Sequence, residues 1–287
     1  MDENEEGIAD SLRRVFEKEG VDVAKPGFYD HPAFLQLERK NPRVLELYAL
    51  YVKCRSYGSE YVEFARLATP RATEFLYEVL ERDGRRGACI DAMNILTRFL
   101  ERLGVWCYGV SGALTIDFPA ASRLPKQYFW PIRGPRNPAK TGHAWVSAPP
   151  FQIVDFTLGL QPYNKNQQRY LPRTVVADQT HSHEVTLDDL VEPEAMHEFR
   201  LHFGGIPSLS EMAETNARPM LECASRFGSH KVSHEGTTLT YVSCAIHACD
   251  GPLEENRSFC PSVKDPAGLF NQFVSWAKLP SITAPPA

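Results

Sequence analysis

A thiol, an imidazole and a carboxylate can together serve as nucleophile, proton carrier and orienting group, and this 287-residue chain sets one of each in a suitable context. Cys89 follows Arg85-Arg86-Gly87-Ala88 and opens a segment with apolar residues at helical spacing. A thiol in the first turn of a helix feels the positive end of the macrodipole and several unpaired N–H groups, which favour the reactive thiolate. Arg85 and Arg86 add positive charge nearby. His143 lies in Gly142-His143-Ala144-Trp145-Val146, and Asp155 in Ile153-Val154-Asp155-Phe156-Thr157, both β-prone runs.

Parity alone places the last two against each other. A hairpin centred on Pro149 sets Ser147 against Phe151, Val146 against Gln152, and His143 against Asp155. Directly opposed residues in an antiparallel pair have Cβ atoms roughly 4.5–5.5 Å apart, close enough for an imidazole N–H to meet a carboxylate. The carboxylate would fix the tautomer while the other ring nitrogen addresses Cys89. The backbone N–H of Cys89 is the expected oxyanion donor. A second donor is left open, with Tyr57 and Tyr61 among the candidates. Trp145 shares the parity of His143 and either walls a substrate site or serves as a core aromatic.

Elements must hold these residues in place. Residues 9 to 104 carry mostly helical periodicity, clearest after Gly87, where Ile90, Met93, Leu96, Thr97, Leu100 and Leu103 form one stripe and Arg98, Glu101 and Arg102 fall off it. Short β-prone runs follow at 105–110, 113–118, 143–146, 152–157, 173–177 and 238–246. Between Phe118 and Gly142 five prolines alternate with Arg123, Lys126, Arg133, Arg136 and Lys140, and no acid occurs. That segment reads as a long basic loop, either plainly solvated or a lid that brings Arg133 and Arg136 to an acidic substrate. Asp265 begins a last amphipathic helix with Leu269, Phe270, Phe273, Val274 and Trp276. The expected organisation is α+β: a helical part over 1–74, a catalytic core over 75–180, and a β-rich elaboration over 181–287 ending in a helix, either as separate parts or as one continuous domain.

Composition narrows the function. Lys and Arg number 31 against 36 Asp and Glu, a formal charge of −5, which provides no overall field for nucleic acid or an anionic membrane. No run is long and apolar enough for a membrane span, and the start, Met1-Asp2-Glu3-Asn4-Glu5-Glu6, is acidic where a secretory signal is basic and then apolar. Seven scattered cysteines, an odd number, suit reduced thiols in the cytoplasm. A structural zinc on Cys244, His247, Cys249 and Cys260, or on His181 with His183 or His230 with His234, has poor spacing, so no metal or other cofactor is expected.

The order of a Cys at a helix start, Gly142-His143-Ala144-Trp145-Val146, and Ile153-Val154-Asp155-Phe156-Thr157 resembles the catalytic core of the transglutaminase-like superfamily, over roughly residues 75 to 160. The resemblance implies a papain-like fold, with a Cys-bearing helix packed on an antiparallel sheet. It also implies Cys89 as nucleophile, His143 as general base and acid, and Asp155 as orienter. The superfamily includes cross-linking acyltransferases, deamidases, peptidases, amidases and inactive members. The related arylamine N-acetyltransferase signature, Arg-Gly-Gly-x-Cys-x-Glu-x-Asn, is not matched by Arg86-Gly87-Ala88-Cys89-Ile90-Asp91-Ala92-Met93-Asn94, which argues against an acetyl-CoA reaction. The expected activity is acyl transfer from an amide or related donor, in a peptide, protein or small molecule, through a Cys89 thioester. Hydrolysis is favoured over transfer to an amine. The contrasting expectation is a binding module that keeps the core without turnover.

Overall fold

The helical periodicity of the first hundred residues yields α1 (Glu3–Lys18), α2 (Pro32–Lys40), α3 (Val44–Cys54), α4 (Ser59–Asp83) and α5 (Cys89–Arg102) in a computed structural model that describes residues 3–134, 142–212, 214–215, 217–249 and 251–280. The strands are β1 (Tyr108–Asp117), β2 (Gln127–Phe129), β3 (His143–Ala148), β4 (Phe151–Asp155), β5 (Val175–Ala177), β6 (His181–Ser182), β7 (Ser229–His234) and β8 (Thr237–His247). They form one curled antiparallel sheet in the order β5-β4-β3-β1-β8-β7-β6, and β2 pairs with β1 beyond the end of β3. The architecture is α+β.

Both faces of the central strands are covered, so β3 is buried at every position instead of alternating. Ala144, Val146 and Ala148 face α4 and α5, packing with Met93, Leu96, Phe99 and Leu100. Trp145 belongs to the second core, with Phe16 of α1, Tyr48 and Val52 of α3, and Tyr241 of β8. Each fully buried large apolar side chain here contributes roughly 1.5–3 kcal/mol, so the position of α5 on the sheet rests on a broad apolar contact.

Several expectations change at the level of packing. Arg98 and Glu101 were expected to lie off the apolar stripe of α5, but both are buried. Asp30 of the N-terminal segment and the carbonyls of Cys249 and Gly251 cover that side of the helix. Arg98 donates to both Asp30 oxygens (2.6 and 3.1 Å), to Glu101 Oε2 (2.9 Å) and to the carbonyls of Cys249 and Gly251. Ile90, expected on the stripe, is 46% exposed. The two expected strands at 105–110 and 113–118 are one, β1, with a register irregularity between Ser111 and Gly112 opposite β8. β8 lies between β1 and β7, so the sheet takes strands from both sides of residue 180. The basic segment contains β2, and its residues 135–141 lie outside the described residues.

The terminal helix, Pro266–Ala277, is capped by Asp265, whose Oδ1 accepts from Gly268 N–H at 2.9 Å. Phe270 and Phe273 pack against Phe99 of α5 with ring centroids 5.1 and 5.6 Å apart, so the tail supports the Cys-bearing helix from behind.

Candidate active site

Cys89 is the first residue of α5, where no side chain caps the helix and the first-turn N–H groups have no intrahelical partner. The preceding Gly87 adopts φ 68°, a left-handed conformation that disfavours a side chain, and its N–H donates to Leu160 O at 3.2 Å. This bond ties the Cys89 turn to the loop that follows Asp155. Arg85 pairs with Asp91 and donates to the carbonyls of Ser258 and Phe259, and Arg86 reaches Gly159 O at 3.5 Å. Both arginines therefore fasten neighbouring loops.

His143 begins β3 after Gly142, which adopts φ 63°; a Cβ there would stand 2.7 Å from Gly112 O. The glycine of the Gly-His pair is thus required both by its backbone angle and by the close approach of β1. Gly112 is the β1 residue paired with His143.

The hairpin register differs from the expectation. Ala148 pairs with Phe151 across a turn made of Pro149 and Pro150, and a shift then sets Val146 opposite Val154. Continued by one residue, that register puts Trp145 opposite Asp155, so the carboxylate is diagonal to His143 rather than directly across. The displacement is by two residues, which preserves the face. Diagonal neighbours remain within reach of a ring, and His143 Nε2 lies 2.7 Å from Asp155 Oδ2.

Asp155 is held on every side. Its Oδ1 accepts from Thr157 N–H (2.8 Å), Thr157 Oγ1–H (3.0 Å) and Leu158 N–H (3.1 Å), an Asx-type turn that ends β4. Its Oδ2 accepts from His143 and from the Tyr241 hydroxyl at 3.0 Å. Both side chains of the His143–Asp155 pair are almost wholly buried.

The electrostatics follow from this packing. Burial opposes the charged form of His143, but the Asp155 charge and hydrogen bond, together with Cys89, push its pKa up to about 10. Burial likewise acts to raise the pKa of Asp155; the His143 charge and the donors from His143 and Thr157 outweigh it and hold the carboxyl below its ordinary value. For Cys89, burial raises and the neighbouring His143 ring and the Ala144 N–H lower, with a net pKa below that of a free thiol. His143 Nδ1 is buried without a hydrogen-bond partner of regular geometry, and the sulfur is near enough for the ring to act on it. A proton moved from Sγ to Nδ1 would leave a thiolate beside an imidazolium whose other nitrogen is already fixed.

The remaining candidates make other contacts. Trp145 is 2% exposed and meets Tyr241 edge-on, with centroids 5.1 Å apart. Arg133 is ion-paired with Glu192 at 3.0 Å, and Lys126 with Asp117 at 2.8 Å. Arg136 lies outside the described residues. Tyr57 donates to Val52 O and Tyr61 accepts from Trp106 N–H, and the two rings stack at 4.4 Å.

Sequence reasoning missed Tyr241, Thr157, Phe129 and Tyr163. The Asp-x-Thr spacing could have indicated the Asx turn at Thr157. Nothing local marks Tyr241, which lies 86 residues after its partner. Phe129 packs 5.7 Å from the His143 ring, and Tyr163 packs edge-on to Phe129 at 6.1 Å.

Among the described residues no three His, Cys, Asp or Glu side chains converge on a metal position, and no helix is long and apolar enough to cross a membrane. His183 contacts Asp189, His230 contacts Thr180 and His247 contacts Ser111. Compared with protein-family models, curated proteins and solved structures, the chain gives no match.

Proposed function

We propose that this chain is a thiol enzyme of the papain-like, transglutaminase-like kind, in which Cys89 attacks an amide or related acyl donor and carries the acyl group as a thioester. The observation that carries the reading is the state of His143. Its Nε2 is fixed by a buried carboxylate, while Nδ1, with no other partner, is left to a thiol of lowered pKa. His143 takes the thiol proton and returns it to the leaving group, and Asp155 keeps the ring in one orientation. Water then resolves the thioester, which makes the chain an amidase, deamidase or peptidase; an amine in its place would give transfer. We place the protein in the cytoplasm, a reading supported by seven free cysteines.

The test is selective alkylation. Burial, as the largest cause, raises the pKa of Cys54, Cys107, Cys223, Cys244, Cys249 and Cys260. Iodoacetamide at pH 6.5, followed by peptide mass mapping, should label Cys89 well ahead of those six. Labelling of Cys89 no faster than Cys107 would remove the activated thiol and the enzyme reading with it. Mass spectrometry of an acyl group trapped on Cys89 would then identify the donor.

A further inference from the structure

We propose that Tyr163 supplies the second oxyanion donor of the thiol site, its hydroxyl directed at the acyl oxygen that becomes negative when the Cys89 sulfur adds to the carbonyl. The inference rests on the function proposed above and adds to it a catalytic residue that no sequence signal marked.

The first observation is an unsatisfied group. The Tyr163 hydroxyl oxygen is buried and has no hydrogen-bond partner. Leaving such a group unpaired is costly, and in a native structure it calls for an explanation. The second is location. The Tyr163 ring packs edge-on against Phe129, which itself packs on His143, so the tyrosine lies one ring away from the histidine. Its hydroxyl is also near enough to Asp155 and Cys89 for their negative charges to add to burial in raising its pKa. The group therefore stays protonated and can only donate toward a developing anion.

The third observation is that the hydroxyls next to Asp155 are occupied. Tyr241 O–H and Thr157 Oγ1–H are bound to the carboxylate, and one N–H of Gln161 Nε2 donates to Thr157 O at 3.2 Å. Tyr163 is also firmly placed. Its N–H donates to Gln161 O at 2.8 Å, and the next residue, Asn164, caps a short helix by a reciprocal pair of bonds with Gln167.

In the step concerned, a bond forms between Sγ and the acyl carbon while the carbonyl π pair moves onto oxygen. The Cys89 N–H and the Tyr163 O–H stabilise that charge without transferring a proton. When the pair returns, the bond to the leaving group breaks, and a basic leaving group takes its proton from His143.

The experiment compares two reagents on the same sulfur. p-Nitrophenyl acetate acylates through a tetrahedral oxyanion, whereas iodoacetamide alkylates by direct displacement and forms none. Tyr163→Phe keeps the ring and should slow acylation of Cys89 by about a hundredfold while changing its alkylation by less than about twofold. The ratio of the two rates reads only folded protein with an accessible thiol, so it remains meaningful if part of the variant misfolds. Unchanged acylation in the variant, an equal fall in both rates, or faster alkylation from an uncapped thiol would each overturn the assignment while leaving the thioester reading in place. A native protein that alkylates at Cys89 but never acylates there would overturn both.

Discussion

Tyr241 and His143 donate to the same oxygen, Oδ2 of Asp155, at 3.0 and 2.7 Å, from strands that are not neighbours in the sheet. Because β1 separates β8 from β3, the shared carboxylate links both sides of the central strand. A hydrogen bond to a charged group contributes about 1.5–3 kcal/mol. Tyr241→Phe should therefore lower stability by an amount in that range, measured as a shift in urea midpoint. A change close to zero would show that the hydroxyl is not bound to the carboxylate.

The thiol should lose its reactivity with its histidine. In His143→Ala the burial that raises the Cys89 pKa remains, while the ring that lowers it is gone. Alkylation of Cys89 at pH 7 should therefore slow, and the rate profile should move to higher pH. A profile that stays in place would separate Cys89 from His143.

His143 should also appear in the pH dependence of folding. Its native pKa is pushed up to about 10 from an ordinary value of 6.5. The stabilisation from its charge is complete below the unfolded value and is lost as pH rises through the native one. The urea midpoint of the native protein should thus exceed that of His143→Gln by more at pH 6 than at pH 10. A constant difference across that window would mean that the ring does not change its charge on unfolding.

Glu101 should act in another window. Burial pushes its pKa up to about 7 despite the adjoining Arg98, so the native state binds more protons than the unfolded chain between roughly pH 4.5 and 7. Stability from this group falls as pH rises through that interval. Glu101→Gln should be more stable than the native protein at pH 8 and nearly equal to it at pH 4.5, by thermal unfolding. Arg98 would keep its bonds to Asp30 and to the carbonyls of Cys249 and Gly251.

The helix that presents the thiol should depend on its apolar face. Leu96 is fully buried between α4 and the sheet. Leu96→Ala should cost about 2–5 kcal/mol, measured by denaturant unfolding.

Much of the candidate site could be read from local sequence. The apolar period after Gly87 put Cys89 at a helix start, and the face shared by His143 and Asp155 survived a two-residue register shift, because strand parity repeats every second residue. Local signals of this kind depend on residues within a turn or two of one another. Position across the sheet does not. Bringing Tyr241 to Asp155 required β8 to be placed beside β1, and burying Arg98 and Glu101 required the segments at Asp30 and Cys249 to close over α5. Likewise β2 brings Phe129 onto His143, and the loop after Asp155 brings Tyr163 onto Phe129. Local sequence set which side chains could do chemistry and which element each begins. The tertiary structure decided which donors and charges surround them, since those contacts join residues far apart in the chain and follow from the packing of whole elements.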